Sequence, residues 1–252
     1  MMSVMAAAAL TLTSCLGDSD SSYSASTFAV GTTVSGLSVL NSGYGVLYSS
    51  SIASSIVSGV CYMTSFEVDL GSAANENYSS NGYYVATITS LSEVEKGSMS
   101  YVATDTTQLL ENEIPISYAG YSSSYGTYIG GYLFFGSTFT GLNNQVNDYT
   151  LYWDRTSSSS DPVYDDDDVP TYNLFLRAVK SSDGTGESQI STQEFRGYPA
   201  SSILSYVADE EDSNGNDTFN LKVNYLSYIN ESDSTDLTWN SFTLTLYSSY
   251  TY

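Results

Sequence analysis

Apolar and polar residues alternate with a period of two near the end of the chain. Phe219, Leu221, Val223 and Tyr225 fall on one side, with Asn220, Lys222 and Asn224 on the other, and Phe242, Leu244 and Leu246 repeat the pattern. Successive side chains of an extended strand point to opposite faces, so this period predicts half-buried antiparallel strands over 218–229 and 240–247. Apolar and β-branched runs upstream predict four more strands, at 131–140, 148–154, 171–179 and 190–195, with a short helix over 199–207 and turn-rich loops at 157–168 and 209–217. Short strands separated by turn signals predict a β-sandwich.

In the first half of the chain the same reading predicts strands at 27–34, 38–48, 60–70 and 83–90, the last extending to 95. The stretch Asn41-Ser42-Gly43-Tyr44-Gly45 supplies a turn, and the polar loop 71–82 ends in Asn81-Gly82, a hairpin-type signal. A barrel of about five strands buries this pattern, and a small half-sandwich fits the same alternation. The Tyr- and Ser-rich stretch 98–126, with Pro115 inside it, reads as a connection. The expected division is therefore a domain over 27–100 and a second over 101–252.

Composition agrees with strands. The 252 residues include 24 tyrosines and abundant Ser and Thr, while helix formers are sparse outside the first residues, so the fold class is all-β. Charge narrows the partners. Twenty-eight acidic residues against six basic ones give a net charge of −22, and no Lys or Arg precedes Lys96. Nucleic-acid binding needs cations that displace counterions from phosphates, so that class is set aside.

At the start of the chain, an apolar run over 4–12 leads into Leu12-Thr13-Ser14-Cys15 and then into the polar stretch Gly17-Asp18-Ser19-Asp20-Ser21-Ser22. This resembles a bacterial lipobox, with 1–14 as signal peptide, Cys15 as the acylated first residue and 15–26 as a flexible tether. Each buried acyl CH₂ contributes about 0.8 kcal/mol, so two or three chains on Cys15 anchor the protein without a spanning helix. The leader lacks the Lys or Arg that opens such signals, which predicts a true start upstream of Met1. Lipid on Cys15 leaves Cys61 without a disulfide partner in the chain; in Gly59-Val60-Cys61-Tyr62-Met63 it reads as a small buried apolar residue.

The order of lipobox, small β domain, Glu113-Ile114-Pro115-Ile116, Gly131-Tyr132-Leu133-Phe134-Phe135, Tyr149-Thr150-Leu151, Tyr172-Asn173-Leu174-Phe175-Leu176-Arg177 and Phe219-Asn220-Leu221-Lys222-Val223 resembles the NigD-like lipoproteins of Bacteroidota. The resemblance implies an N-terminal OB-like barrel followed by a C-terminal, immunoglobulin-like β-sandwich. It also implies an outer-membrane location, with Asp18 and Asp20 behind the anchor resembling a surface-export signal. The His that often follows the Leu-Arg pair in that family is Ala178 here. The resemblance transfers no catalytic or binding residue.

The chain contains no His, which removes Ser/His/Asp and Cys/His nucleophilic sites and His-ligated metal centres. No nucleophile elbow, Walker-type loop or dinucleotide fingerprint occurs. A two-carboxylate glycosidase mechanism is the enzymatic alternative that survives. Two acidic clusters are weak Ca²⁺ candidates, Asp165-Asp166-Asp167-Asp168 and the segment containing Glu210, Asp212 and Asn214. The second places Glu210, Asp212 and Asn214 at positions 1, 3 and 5 of an EF-hand-like loop, but Leu221 stands where the bidentate Glu belongs. A solvated acidic loop accounts for both. Tyr118, Tyr121, Tyr125, Tyr128 and Tyr132 form a candidate stacking platform for a sugar, against the plainer reading of strand and loop residues with one wet end. Trp153 and Trp239 read as core. Asp105-Thr106-Thr107 and Asp233-Ser234-Thr235 resemble short O-glycosylation sites.

The expectation is a non-catalytic, cofactor-free binding module anchored in the outer membrane through Cys15, its partner an unidentified protein or glycan. Glycan recognition, bacteriocin immunity and glycoside hydrolysis are the alternatives.

Overall fold

The computed structural model describes residues 21–154, 162–164, 169–230 and 232–248. In chain order the strands are β1 (Ser22–Val34), β2 (Leu37–Ser42), β3 (Gly45–Tyr48), β4 (Cys61–Asp69), β5 (Tyr84–Val85), β6 (Thr87–Val94), β7 (Ser98–Ser100), β8 (Glu113–Ile114), β9 (Tyr118–Gly120), β10 (Tyr128–Ile129), β11 (Tyr132–Asn143), β12 (Val146–Tyr152), β13 (Val163–Tyr164), β14 (Pro170–Ser182), β15 (Thr185–Pro199), β16 (Thr218–Asn230) and β17 (Asp233–Tyr247). Among the described residues two α-helices, α1 (Tyr78–Asn81) and α2 (Ser201–Asn214), and a short 3₁₀ helix at Ala53–Ser55 join them. The chain forms two units, one of residues 1–95 with 122–130 and one of 96–121 with 131–252.

The first unit is a barrel. Its sheet runs β5-β3-β2-β1-β4-β6, and its two ends belong to one bent stretch of chain: Tyr84 pairs in parallel with Leu47, while Ile88 pairs antiparallel with Phe66. With β5 and β6 taken as halves of a single strand broken at Ala86, five strands close on themselves, the OB arrangement. The β1–β2 hairpin turns through Ser35 and Gly36 at φ 51° and 82°. Two left-handed residues give the type I′ turn that matches strand twist. In β4, Tyr62, Thr64, Phe66 and Val68 point inward, and they share a core with Ala29, Leu40, Leu47 and Ile56. The buried Tyr62 hydroxyl is satisfied, accepting from Val57 N at 2.9 Å and donating to Ser55 O at 3.3 Å. Cys61 is fully buried.

Five consecutive residues of β1, Thr27 to Gly31, are buried, so the strand is covered on both faces. The barrel core covers one. Residues 122–130 cover the other: Tyr125 O accepts from Phe28 N and from Thr27 Oγ1, each at 2.9 Å, and the Tyr125 ring meets Phe28 edge-on at 5.8 Å. A stretch that reads as connection in the sequence is thus part of the first unit's packing.

The second unit is a sandwich. In one sheet β11 lies between β9 and β15; the other runs β17-β16-β14-β12-β7, with β8 and β13 also paired to β14. Phe135 of β11 meets Phe242 of β17 edge-on at 5.3 Å, which sets the two sheets face to face. Leu133, Leu151, Leu174, Leu176, Leu221 and Val223 fill the interior. Two pairs are parallel, β14 with β16 and β12 with β7. A parallel pair needs a crossover, and the chain from β14 to β16 makes it through β15 and α2. Helix α2 covers 201–214, longer than the helix over 199–207 that the sequence predicts, and stops at Gly215, whose φ of 82° closes a left-handed cap. It buries Ile203, Leu204, Val207 and Ala208, at the i, i+1, i+4, i+5 spacing of one face.

Candidate functional site

Cys15 and Asp165-Asp166-Asp167-Asp168 lie outside the described residues. The segment proposed as an EF-hand-like loop is instead the C-terminal part of α2. At about 100° per residue, Asp212 points away from Glu210 and Asn214, so the three do not converge as loop ligands do. Asp212 and Asn214 are exposed and Glu210 is half-buried. Among the described residues no group of three or more acidic or Cys side chains comes together.

The five tyrosines of the candidate platform are divided between the two units. Tyr125 and Tyr128 belong to the first unit, and Tyr118, Tyr121 and Tyr132 to the second. Within the second unit, Tyr121 packs near Phe242 at 6.3 Å, while Tyr132 lies under the Lys96 ammonium at 5.2 Å. The segment 118–132 changes unit twice.

A different aromatic cluster forms on the barrel. Tyr23 and Tyr44 lie 6.4 Å apart over Phe66, which each meets edge-on, at 5.8 and 5.6 Å. Tyr84 packs on the same core and stacks face to face on Tyr78 of α1 at 4.2 Å. Burial raises the Tyr84 phenol above its ordinary value, and the hydrogen bond and proximity of Tyr78 raise it further. Burial raises Tyr23 as well, with Tyr44 adding to it. These rings come from the start of β1, the β2–β3 turn, α1 and the start of β5. The first unit contains no Lys or Arg. Sequence spacing offers no signal for this cluster, since it is the barrel closure that gathers it.

In the second unit, sequence reasoning missed Arg177. Its Nη1 donates to Thr104 Oγ1 at 2.9 Å and Asp105 O at 2.7 Å, its Nη2 to Gln108 O at 2.6 Å, and its Nε to Glu113 Oε1 at 2.6 Å. The guanidinium also lies 5.7 Å from the Trp239 ring, whose Nε1 donates to Thr106 O at 3.2 Å. Arg177 and Trp239 together fasten the 104–113 segment onto the second sheet. The available signal was a lone Arg inside the apolar run 172–179. Buried Glu211 plays a similar part elsewhere: it accepts from the Tyr172 hydroxyl and, at 2.6 Å, from Asn216 Nδ2, tying α2 to β14.

A polar cluster also sits between the sheets. Arg196 stacks over Tyr149 at 4.7 Å and donates through Nη2 to Asn147 O and Glu194 Oε2, each at 3.2 Å. Burial drives the phenols of Tyr149 and Tyr198 well above their ordinary values, and the Glu194 carboxylate adds to the shift in both. Their hydroxyls, with Ser137 Oγ, are buried without a direct hydrogen bond of good geometry.

A barrel built on the OB plan and a β-sandwich in one chain make this a two-unit, all-β protein. Residues 19–92 match the lipoprotein OB domain family, which bears out both the barrel and the resemblance to NigD-like lipoproteins. Among solved structures, the chain is similar to an uncharacterized protein from Parabacteroides merdae, at 26% identity and a TM-score of 0.77, over 89% of this chain and 99% of that one. It is also similar to a candidate lipoprotein from Bacteroides fragilis, at 11% identity and a TM-score of 0.54, over 88% and 97% of the two chains. A NigD-like immunity protein from Bacteroides caccae aligns at 14% identity and a TM-score of 0.49, over 87% and 95%. No curated protein matches the chain.

Proposed function

We propose that this protein is a non-catalytic interaction module, held at the outer membrane by lipid on Cys15 and displayed to the cell exterior. The observation that carries the reading is the match of residues 19–92 to a lipoprotein OB domain directly behind a lipobox. OB barrels serve as binding platforms, while the anchor sets where the platform works. The use of buried carboxylates supports a binding role over hydrolysis. Glu113 is consumed by Arg177, and Glu211 by Tyr172 and Asn216, each inside the scaffold.

The test compares the wild-type lipoprotein with Cys15→Ala in its native host. Wild type should fractionate with the outer membrane and be stripped from intact cells by protease, and cross-linking should recover a partner. Recovery of wild type in the soluble fraction, or a Cys15→Ala protein that stays membrane-bound, overturns the anchored reading.

The aromatic cluster on the barrel favours a second reading, in which Tyr23, Tyr44, Tyr78 and Tyr84 hold a neutral glycan by ring stacking and hydroxyl contacts. An array of neutral glycans that shows no binding removes it.

A further inference from the structure

Strand β17 is the edge of the larger sheet of the second unit, bonded on one side to β16, and no described strand pairs with its other side. From Leu237 to Leu246 it reads Leu-Thr-Trp-Asn-Ser-Phe-Thr-Leu-Thr-Leu, with no charge, no Pro and no Gly. Folded proteins guard such edges with Lys, Pro, bulges or short strands, because every second residue aims its N–H and C=O outward as a template for another strand. No Lys or Pro appears over 237–246, and the β-bulges of this pair are on β16, at Leu226/Tyr228 opposite Trp239 and Thr238 and at Ile229/Asn230 opposite Leu237 and Asp233, so the register from Asn240 to Leu246 runs unbroken. The other edges differ. The barrel of the first unit closes on itself, β7 is three residues long, and β15 carries Glu187, Glu194 and Arg196 and is bridged to Lys96 near its end.

We propose that the outer edge of β17 is a strand-addition site for an extended peptide segment of a partner protein, neutral in its middle and basic at its ends. The backbone edge selects an extended chain, since only a strand satisfies its outward amides. The flanking charges select the ends of that chain. Asp236 is exposed immediately before this stretch, its Oδ2 accepting from Asn230 Nδ2 at 3.0 Å, and Asp217 is exposed at the other end, where its carbonyl accepts from Ser248 N at 3.0 Å. A second copy of this chain is disfavoured for the same reason. Two β17 edges paired antiparallel would bring Asp236 of one copy toward Asp217 of the other, with a net charge of −22 on each. The inference rests on the reading of the protein as an interaction module and adds the chemistry of its partner.

The experiment uses the full mature chain and a synthetic peptide with a Thr/Val/Tyr middle of ten residues and Lys-Lys at each end. Binding is read by fluorescence polarisation and located by hydrogen exchange. Three controls accompany it: the same peptide N-methylated at alternate residues, the same peptide with Glu-Glu ends, and the variant Asn240→Lys/Thr243→Lys, which places guarding charges at two exposed positions of the edge. The expected result is saturable binding with new amide protection confined to 237–246. N-methylation or Glu-Glu ends should weaken binding at least about tenfold, and so should the double variant. Three outcomes overturn the proposal: no binding, binding indifferent to N-methylation, or a concentration-dependent dimer of the wild type that the double variant abolishes. Any of them leaves the anchored-module reading standing if cross-linking at the membrane still recovers a partner, so the two failures are distinguishable.

Discussion

Arg177 and Glu113 form a bidentate ion pair, Nε to Oε1 at 2.6 Å and Nη2 to Oε2 at 2.5 Å, with the two side chains 1% and 0% exposed. The pair joins β14 to β8, and the remaining guanidinium donors go to the 104–108 stretch, so every N–H of Arg177 has an acceptor.

Removing one partner therefore differs from removing both. Glu113→Ala strands a buried cation and should cost about 3–5 kcal/mol, whereas replacing both residues with apolar ones of similar volume, as in Glu113→Leu/Arg177→Met, should cost less than the single change. Both tryptophans lie in the second unit, so urea denaturation followed by Trp fluorescence reports on it alone. A single variant no less stable than the double one would show that the pair does not hold the segment.

Beside this pair, Asp105 folds back on its own loop. Its Oδ1 accepts from Thr107 Oγ1 at 2.6 Å and from Thr107 N at 2.8 Å. The hydroxyl first and the backbone amide second hold its carboxyl below the ordinary value of 3.8. A depressed carboxylate supports the folded loop above its unfolded pKa and loses that support as pH falls through the folded value. An NMR titration should place Asp105 below 3.8, and Thr107→Val should move it back up. An unshifted Asp105 in the wild type would contradict the turn.

The strands of the sandwich were legible where only one face is buried. The alternation in β16 and β17 shows which residues face inward, and Leu221 and Leu244 are indeed opposite each other in the sheet and buried. The bent strand 84–94 was legible as one run because the break at Ala86 interrupts pairing and not hydropathy. Helix α2 was under-read. Its second half is the acidic run 209–212, and its buried stripe includes Glu211, a residue that binary patterning assigns to solvent. The return of 122–130 to the barrel left no trace either. Its grip on β1 comes largely from the Tyr125 carbonyl, and a backbone acceptor is the same in every sequence. Arg177 was visible as an anomaly, but its partner lies 64 positions away and no local pattern joins them.

Buried tyrosines set an alkaline limit on the second unit. The phenols of Tyr149 and Tyr198 are raised above 10, chiefly by burial. A raised folded-state pKa gives stability that is complete below the unfolded value and is lost as pH climbs past it, because the unfolded chain ionises first. The protein should therefore unfold at pH above about 10, with tyrosinate absorbance appearing in step with loss of Trp emission. Tyr198→Phe keeps the ring stack on Phe135 at 4.4 Å and deletes a hydroxyl without a direct partner, so it should shift that midpoint upward. A midpoint unchanged or lowered would place the limit elsewhere.

The barrel makes a steric demand at Gly31. A Cβ there would sit 2.2 Å from Val57 O and 3.1 Å from Ile56 Cγ2. The clash is with backbone that has no room to move, for Gly31 N donates to Val60 O at 2.9 Å, Gly59 N donates to Gly31 O at 2.8 Å, and Val57 N is held by the Tyr62 hydroxyl at 2.9 Å. Gly36 offers a comparison from the same strand pair. Its φ of 82° strains any other residue, yet nothing lies within 4 Å of an added Cβ. Gly36→Ala should then cost about 1 kcal/mol from backbone strain alone. Gly31→Ala should cost more, about 2–3 kcal/mol, because a packed strand and its neighbouring loop must separate. Thermal unfolding of the first unit, followed by near-ultraviolet dichroism of its tyrosines, ranks the two variants. Equal losses would mean that the 56–60 loop yields at Gly31 and that the contact is not a constraint on the barrel.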